Sequence, residues 1–211
     1  MASSREEQIR ERILRAALAM AEEAGTWEAV RLRLVAERLE LPLTEVLSRF
    51  RDLDAVADAW FAKGWEAMLA PPPEGFFTLP ARERLEMLLL RWFDALAEHR
   101  RLTAEMVRTK LHPPHPHHWV PMIFNLSRTI QWLRDAAALD GLGARRGIEE
   151  VGLTLLFLRT LAVWSCDRSE GQGRTRAFLR RRLACADRAM ACYGRLERRG
   201  RGFGRTADQA V

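Results

Sequence analysis

The densest group of chemistry-bearing side chains in this 211-residue chain is His112-Pro-Pro-His115-Pro-His117-His118. Imidazoles this close together suit zinc, nickel or copper. Prolines 113, 114 and 116 stiffen the segment, and no Cys, Asp or Glu stands beside it to complete a coordination sphere. The expectation is a rigid connector between helices, with no metal and no cofactor. Glu22-Glu23 and Glu149-Glu150 read as helix-surface charges. There is no Ser/His/Asp arrangement in a recognisable context, no Gly-rich phosphate loop and no metalloprotease spacing, so no enzyme is expected.

A second group is aromatic. Trp92, Phe93, Trp119, Phe124, Trp132, Phe157 and Trp164 fall across three predicted helices. Such rings line pockets for flat or apolar molecules, and they also fill plain cores. They are therefore candidate lining for an apolar small molecule or lipid. Arg159 interrupts the longest apolar run, Val151 to Trp164. Its simplest place is in solvent; a carboxylate partner or an anionic head group are the alternatives. That run is also shorter than the ~20 residues of a membrane span. The N-terminal Met-Ala-Ser-Ser-Arg-Glu-Glu lacks the apolar centre of a signal peptide.

The elements that position these groups are helical. Val, Ile and Thr are sparse beside Leu, Ala, Arg and Glu, which favours an all-α fold. Periodicity predicts nine helices. The first, about 5–24, carries Ile9, Ile13, Ala17 and Met20 and stops at Gly25. Two short helices follow, about 31–39 and 43–50. Asp52 caps a fourth that carries Val56, Trp60, Phe61 and Trp65. Pro71-Pro-Pro-Glu-Gly75 breaks the chain there. The fifth follows Pro80, and the sixth, seventh, eighth and ninth cover about 102–111, 120–139, 144–166 and 175–195. In the ninth, Leu179, Leu183, Ala186, Met190 and Tyr193 form a heptad-like seam. The expected domains are 1–70, 76–196 and a disordered basic tail, 197–211.

Charge is unevenly placed. The net charge is +6, yet residues 1–56 carry nine Arg against eleven Asp or Glu, while residues 171–211 carry eleven Arg against Asp187, Glu197 and Asp208. Cys166, Cys185 and Cys192 show no pairing pattern, which suits a reducing compartment and a soluble, cytoplasmic protein.

The stretch from Val35 to Phe50 reads as a helix-turn-helix, with Val35 and Leu39 on one apolar face and Val46, Leu47 and Phe50 on the next. A first helix ending in Gly25, this pair closing on Phe50, and an Asp52-capped fourth helix resemble the TetR family of transcriptional regulators. The resemblance covers about residues 9–65. It implies a nine-helix architecture, an N-terminal DNA-binding domain, and a C-terminal helical domain for ligand binding and homodimerisation. The chain departs from the family's usual pattern. Glu40 stands for the turn Gly, Pro42 for the capping Ser or Thr, Leu43 for a following Lys or Arg, and Leu47 and Arg49 for aromatic positions. Leu53 stands for a phosphate-binding Lys. The residues left to meet DNA are Arg31, Arg33, Thr44, Glu45, Ser48, Arg49 and Arg51. Arg49 suits a guanine edge, Thr44 a thymine methyl, and Glu45 a cytosine amine.

Arg145-Arg146, Asp167 and Phe178-Leu179-Arg180 are similar to points in the lipid-binding accessory proteins of ubiquinone biosynthesis, over about residues 85–190. That likeness implies an apolar tunnel for a lipid or quinone and a helix-turn-helix that no longer serves DNA. The main expectation is a ligand-responsive, dimeric DNA-binding regulator; the lipid-binding accessory protein is the alternative.

Overall fold

The computed structural model describes the backbone of residues 2–110 and 116–207 and the side chains of residues 5–109 and 126–195. His112 and His115 lie outside the described residues, as do the side chains of His117, His118, Trp119 and Phe124. The described residues form nine α-helices with short 3-10 turns and no strand. None of these helices is long and apolar enough to cross a membrane.

The helices are α1 (Ala2–Ala24), α2 (Leu32–Arg38), α3 (Leu43–Arg49), α4 (Leu53–Leu69), α5 (Ala81–Ala95), α6 (Arg100–Lys110), α7 (Pro116–Ala136), α8 (Gly143–Ser165) and α9 (Gly173–Ala207). Several boundaries follow from the expected signals. Gly25 takes φ 76° at the end of α1, a conformation that costs glycine little. Asp52 accepts a 2.7 Å bond from Ala55 N–H and caps α4. Two boundaries differ from expectation. The seventh helix starts at Pro116, inside the expected loop, because proline's fixed φ and missing N–H suit a helix's first turn. The backbone of α9 runs on to Ala207, where an irregular tail was expected from residue 197. Arg, Leu and Glu at 195–199 are good helix formers and carry the helix onward.

Two compact units emerge, Met1–Pro72 with Leu88–Leu133, and Pro73–Met87 with Arg134–Val211. The first break lies within the expected Pro-rich junction. The division otherwise departs from 1–70 and 76–196, because part of α5, α6 and most of α7 group with the N-terminal helices. The reason lies in specific contacts. A Cβ on Gly64 of α4 would sit 2.6 Å from the Trp92 indole nitrogen of α5. Trp60 of α4 donates a buried 2.8 Å bond to Thr103 of α6. Glu105 of α6 accepts from the Thr26 hydroxyl and, at 3.1 Å, from Trp27 N–H. His99 and Arg101 meet Glu22 at 3.1 and 3.3 Å. Burial would push the Glu22 carboxyl up, but these two partners hold it below its ordinary range.

In the second unit α8 packs along α9, burying Leu153, Leu156, Phe157, Leu161 and Trp164 with Leu179 and Leu183. Asp167 ties the two together. It accepts from Ser169 N–H and hydroxyl at 2.9 and 2.5 Å and from Thr175 N–H and hydroxyl at 2.8 and 2.6 Å. Burial would raise this carboxyl, yet the hydrogen bonds from Ser169 and Thr175 outweigh it and hold Asp167 far below the usual carboxylate range. Glu149 and Glu150, expected as surface charges, instead meet Arg134 at 3.1 and 3.5 Å. The Arg134 side chain is 4% exposed and that of Glu149 10%. Gly141 makes room for Glu149, whose Oε2 would lie 2.5 Å from a Cβ there. Arg159 is exposed to solvent.

Candidate nucleic-acid interface

The helix-turn-helix is built from α2 and α3 on α1 and α4. Val35, Val46, Phe50 and Val56 are buried with Ile13 and Ala17 of α1. The turn between the two helices closes by two hydrogen bonds, Glu40 N–H to Glu37 C=O at 3.1 Å and Leu41 N–H to Ala36 C=O at 3.0 Å. This is the Schellman pattern, which places its C′ residue in the left-handed region. That residue is Glu40, with φ 55°. The geometry for which glycine is favoured is therefore kept by a glutamate. Pro42 then opens α3 with no side-chain cap bond.

Contacts from α1 fix the pair. Arg10 donates a 2.8 Å bond to the carbonyl of Arg49, and its guanidinium lies 4.6 Å from the Phe50 ring centroid. Arg38 makes a two-pronged pair with Glu23 at 2.7 and 2.6 Å. The Arg38 hydrogen bond holds the exposed Glu23 carboxyl below its ordinary value.

The seven candidate residues divide by what they touch. Arg31 is exposed at the head of α2 and donates to the carbonyls of Glu28 and Val30 at 2.5 and 2.8 Å. Arg33 is exposed and paired with Glu37 one turn on. Arg51 is exposed beside Asp52, 3.1 Å away. Thr44 and Ser48 are exposed on α3. Glu45 and Arg49 face each other at 3.5 Å. Arg49 also donates to Glu45 C=O at 2.9 Å and to the Ser48 hydroxyl at 3.3 Å, so its guanidinium is folded back along its own helix.

Leu47 differs from expectation. It does not join Val46 and Phe50 in the core but is 41% exposed, and Leu43 one turn earlier is 39% exposed. Val46 and Phe50 alone set the buried stripe, and Leu43, Thr44, Leu47 and Ser48 fall on the outward side. Their spacing of four, taken against Val46 and Phe50, was the signal that marks this outward face.

The aromatic candidates lie mostly in core positions. Trp92, Phe93, Phe157 and Trp164 are buried. Trp132 is half-buried, edge-on to Trp65 with centroids 5.7 Å apart, and Arg128 lies 5.9 Å from its ring. The second unit holds a partly open apolar cavity of about 270 Å³ among Leu85, Leu139, Ile148, Leu153, Leu156 and Met190. Of the five aromatic candidates with described side chains, none lines it. Several residues carrying the second resemblance make contacts within the second unit. Arg145 and Arg146 pair with Glu149 and Glu150 at 3.0 and 2.8 Å, Asp167 caps the start of α9, and Leu179 is buried. No cluster of metal-binding side chains occurs among the described residues.

Comparison with solved structures places these elements together. The TetR transcriptional regulator from Nitrosomonas europaea is 39% identical, with a TM-score of 0.75 over 85% of this chain and 98% of that one. A TetR transcriptional regulator from a Rhodococcus species aligns with a TM-score of 0.60 at 19% identity, over 84% and 94% of the two chains, a likeness of fold. No family profile matches the chain, and no curated protein matches it.

Proposed function

The chain belongs to the TetR family of transcriptional regulators, and on that premise we propose that it binds operator DNA as a homodimer through α3 and answers to an apolar small molecule. The observation that carries the DNA part is the helix-turn-helix itself, a complete α2–turn–α3 unit whose second helix is braced from behind and open in front. Arg31, Arg33 and Arg51 flank that front as phosphate partners, and Thr44 and Ser48 face outward between them. Glu45 and Arg49 serve mainly to hold one another, and Arg49 reads a base only after leaving Glu45.

Dimerisation is supported by α8. Ile148, Val151, Leu155 and Leu158 form an exposed apolar stripe, and a Cβ on Gly147 or Gly152 would meet nothing within 4 Å. A long helix with one open apolar face is suited to a second copy of itself. Two copies would set two α3 helices on half-sites about 34 Å apart. The apolar cavity of the second unit is the place offered for an effector. An effector acts by binding one dimer geometry more tightly than the other.

The test is selection of genomic DNA fragments by the purified protein at physiological salt. Enrichment of a roughly palindromic motif is the expected result. A folded, dimeric protein that enriches nothing would defeat the DNA-binding reading.

A further inference from the structure

α3 presents an unusual surface for a helix that enters a major groove. Its outward residues are Leu43, Thr44, Leu47 and Ser48, while its two charged side chains, Glu45 and Arg49, are engaged with each other. The Ser48 hydroxyl donates to the Glu45 carbonyl at 2.9 Å. The face thus offers alkyl groups and hydroxyls where guanine reading would need a bidentate cation. The one apolar group on the base edges of the major groove is the thymine C5-methyl. Exposed arginines at 31, 33 and 51 belong to the same helix-turn-helix segment, Arg33 and Arg51 each beside a carboxylate they can exchange for a phosphate. An apolar face with exposed cations near it in sequence suits a polyanion with methyl groups in its groove.

We propose that Leu43 and Leu47 are base-reading residues that recognise thymine methyl groups, so that each half-site is specified by methyls rather than by guanine. This rests on the DNA-binding reading above and adds its specificity. Leu43 and Leu47 are four residues apart, about 6 Å along the helix axis at ~1.5 Å per residue. At ~3.4 Å per base step the two contacted thymines stand within about two steps of each other. Thr44, between them, adds its own methyl to the same surface.

The experiment uses the full chain and its own selected duplex. Duplexes are first selected from a random library at physiological salt. Each thymine is then replaced singly by deoxyuridine, which removes the methyl and keeps every hydrogen-bonding group of the pair. The expected result is two sensitive thymines per half-site, each weakening binding about fourfold, equivalent to ~0.8 kcal/mol per buried methyl-sized group. In Leu47→Ala one of the two becomes insensitive while the other keeps its effect. Selected duplexes that bind equally well at every deoxyuridine position overturn the methyl reading and leave DNA binding standing, as does an unchanged profile in Leu47→Ala. A library from which nothing is selected overturns both. The wild-type profile needs no variant, so the test does not depend on the folding of Leu47→Ala.

Discussion

At the scale of single residues, the chain holds two positions where local chemistry and backbone geometry pull against each other or depend on each other closely. Glu40 occupies a left-handed conformation, φ 55°, which costs an L-residue about 1–2 kcal/mol. Glycine removes that cost but adds freedom to the unfolded chain. Glu40→Gly is therefore expected to stabilise the protein by a net ~0.5–1 kcal/mol, measured as a higher urea midpoint at unchanged slope. The second position is Asp167. Its folded pKa is depressed, so its contribution is fully present well above the unfolded value near 3.8 and is lost progressively as pH falls below it. Asp167→Asn is expected to cost about 2 kcal/mol at pH 7, from lost charge-assisted bonds and a weakened cap. Urea midpoints compared between pH 7 and pH 2 test the sign: the gap between wild type and variant narrows as pH drops. Neither role was fully legible in the sequence. Asp167 followed by Ser169 and Thr175 shows capping types, but the reach over eight residues appears only once the chain turns. Glu45 and Arg49 stand at the helical spacing of four that pairs side chains, although each was expected to meet a base.

At the scale of elements, helix starts and stops were the most legible features, since Gly25, Asp52 and Pro80 act within one turn of where they stand. Partners brought together across a turn were the least legible. Arg134 and Glu149 are fifteen residues apart and meet only because α7 ends and Gly141 leaves space for the carboxylate. Arg134→Ala would remove one of the two cations that meet Glu149 and leave Arg145, an expected loss of about 1–3 kcal/mol in chemical denaturation. A conservative change elsewhere should be as informative. Gly64→Ala places a methyl against the Trp92 indole, and an overpacked contact of this kind costs about 1–3 kcal/mol. A Gly64→Ala protein as stable as wild type would mean that α4 and α5 can slide apart freely. The outward turn of Leu47 belongs to the same lesson. The spacing of apolar residues identified a helix, but which side faced in was set by the burial of Val46 and Phe50, the latter beneath Arg10 of α1.

At the scale of the whole molecule, the net charge of +6 is a poor guide to where DNA would sit, because the N-terminal 56 residues carry more acidic than basic groups. On the proposed reading the interface is the helix-turn-helix, and the charge pattern predicts its character. With Arg31, Arg33 and Arg51 as phosphate partners in each of two copies, the slope of log K against log salt should be no steeper than about −5. Arg51→Ala should reduce that slope by about 2 while leaving the preferred sequence unchanged. The exposed stripe of α8 makes a separate prediction. On the proposed α8 dimer, Leu155→Glu is expected to give monomers in sedimentation experiments and to weaken operator binding with it. A Leu155→Glu protein that stays dimeric would place the interface elsewhere.

Whether a dimer reads DNA with two copies of α3 is decided by hydroxyl-radical footprinting of the wild-type protein on its most enriched genomic fragment. Two copies of α3 on one duplex should leave two protected patches on one face, about 34 Å apart. A single patch, or protection spread evenly along the fragment, would contradict it.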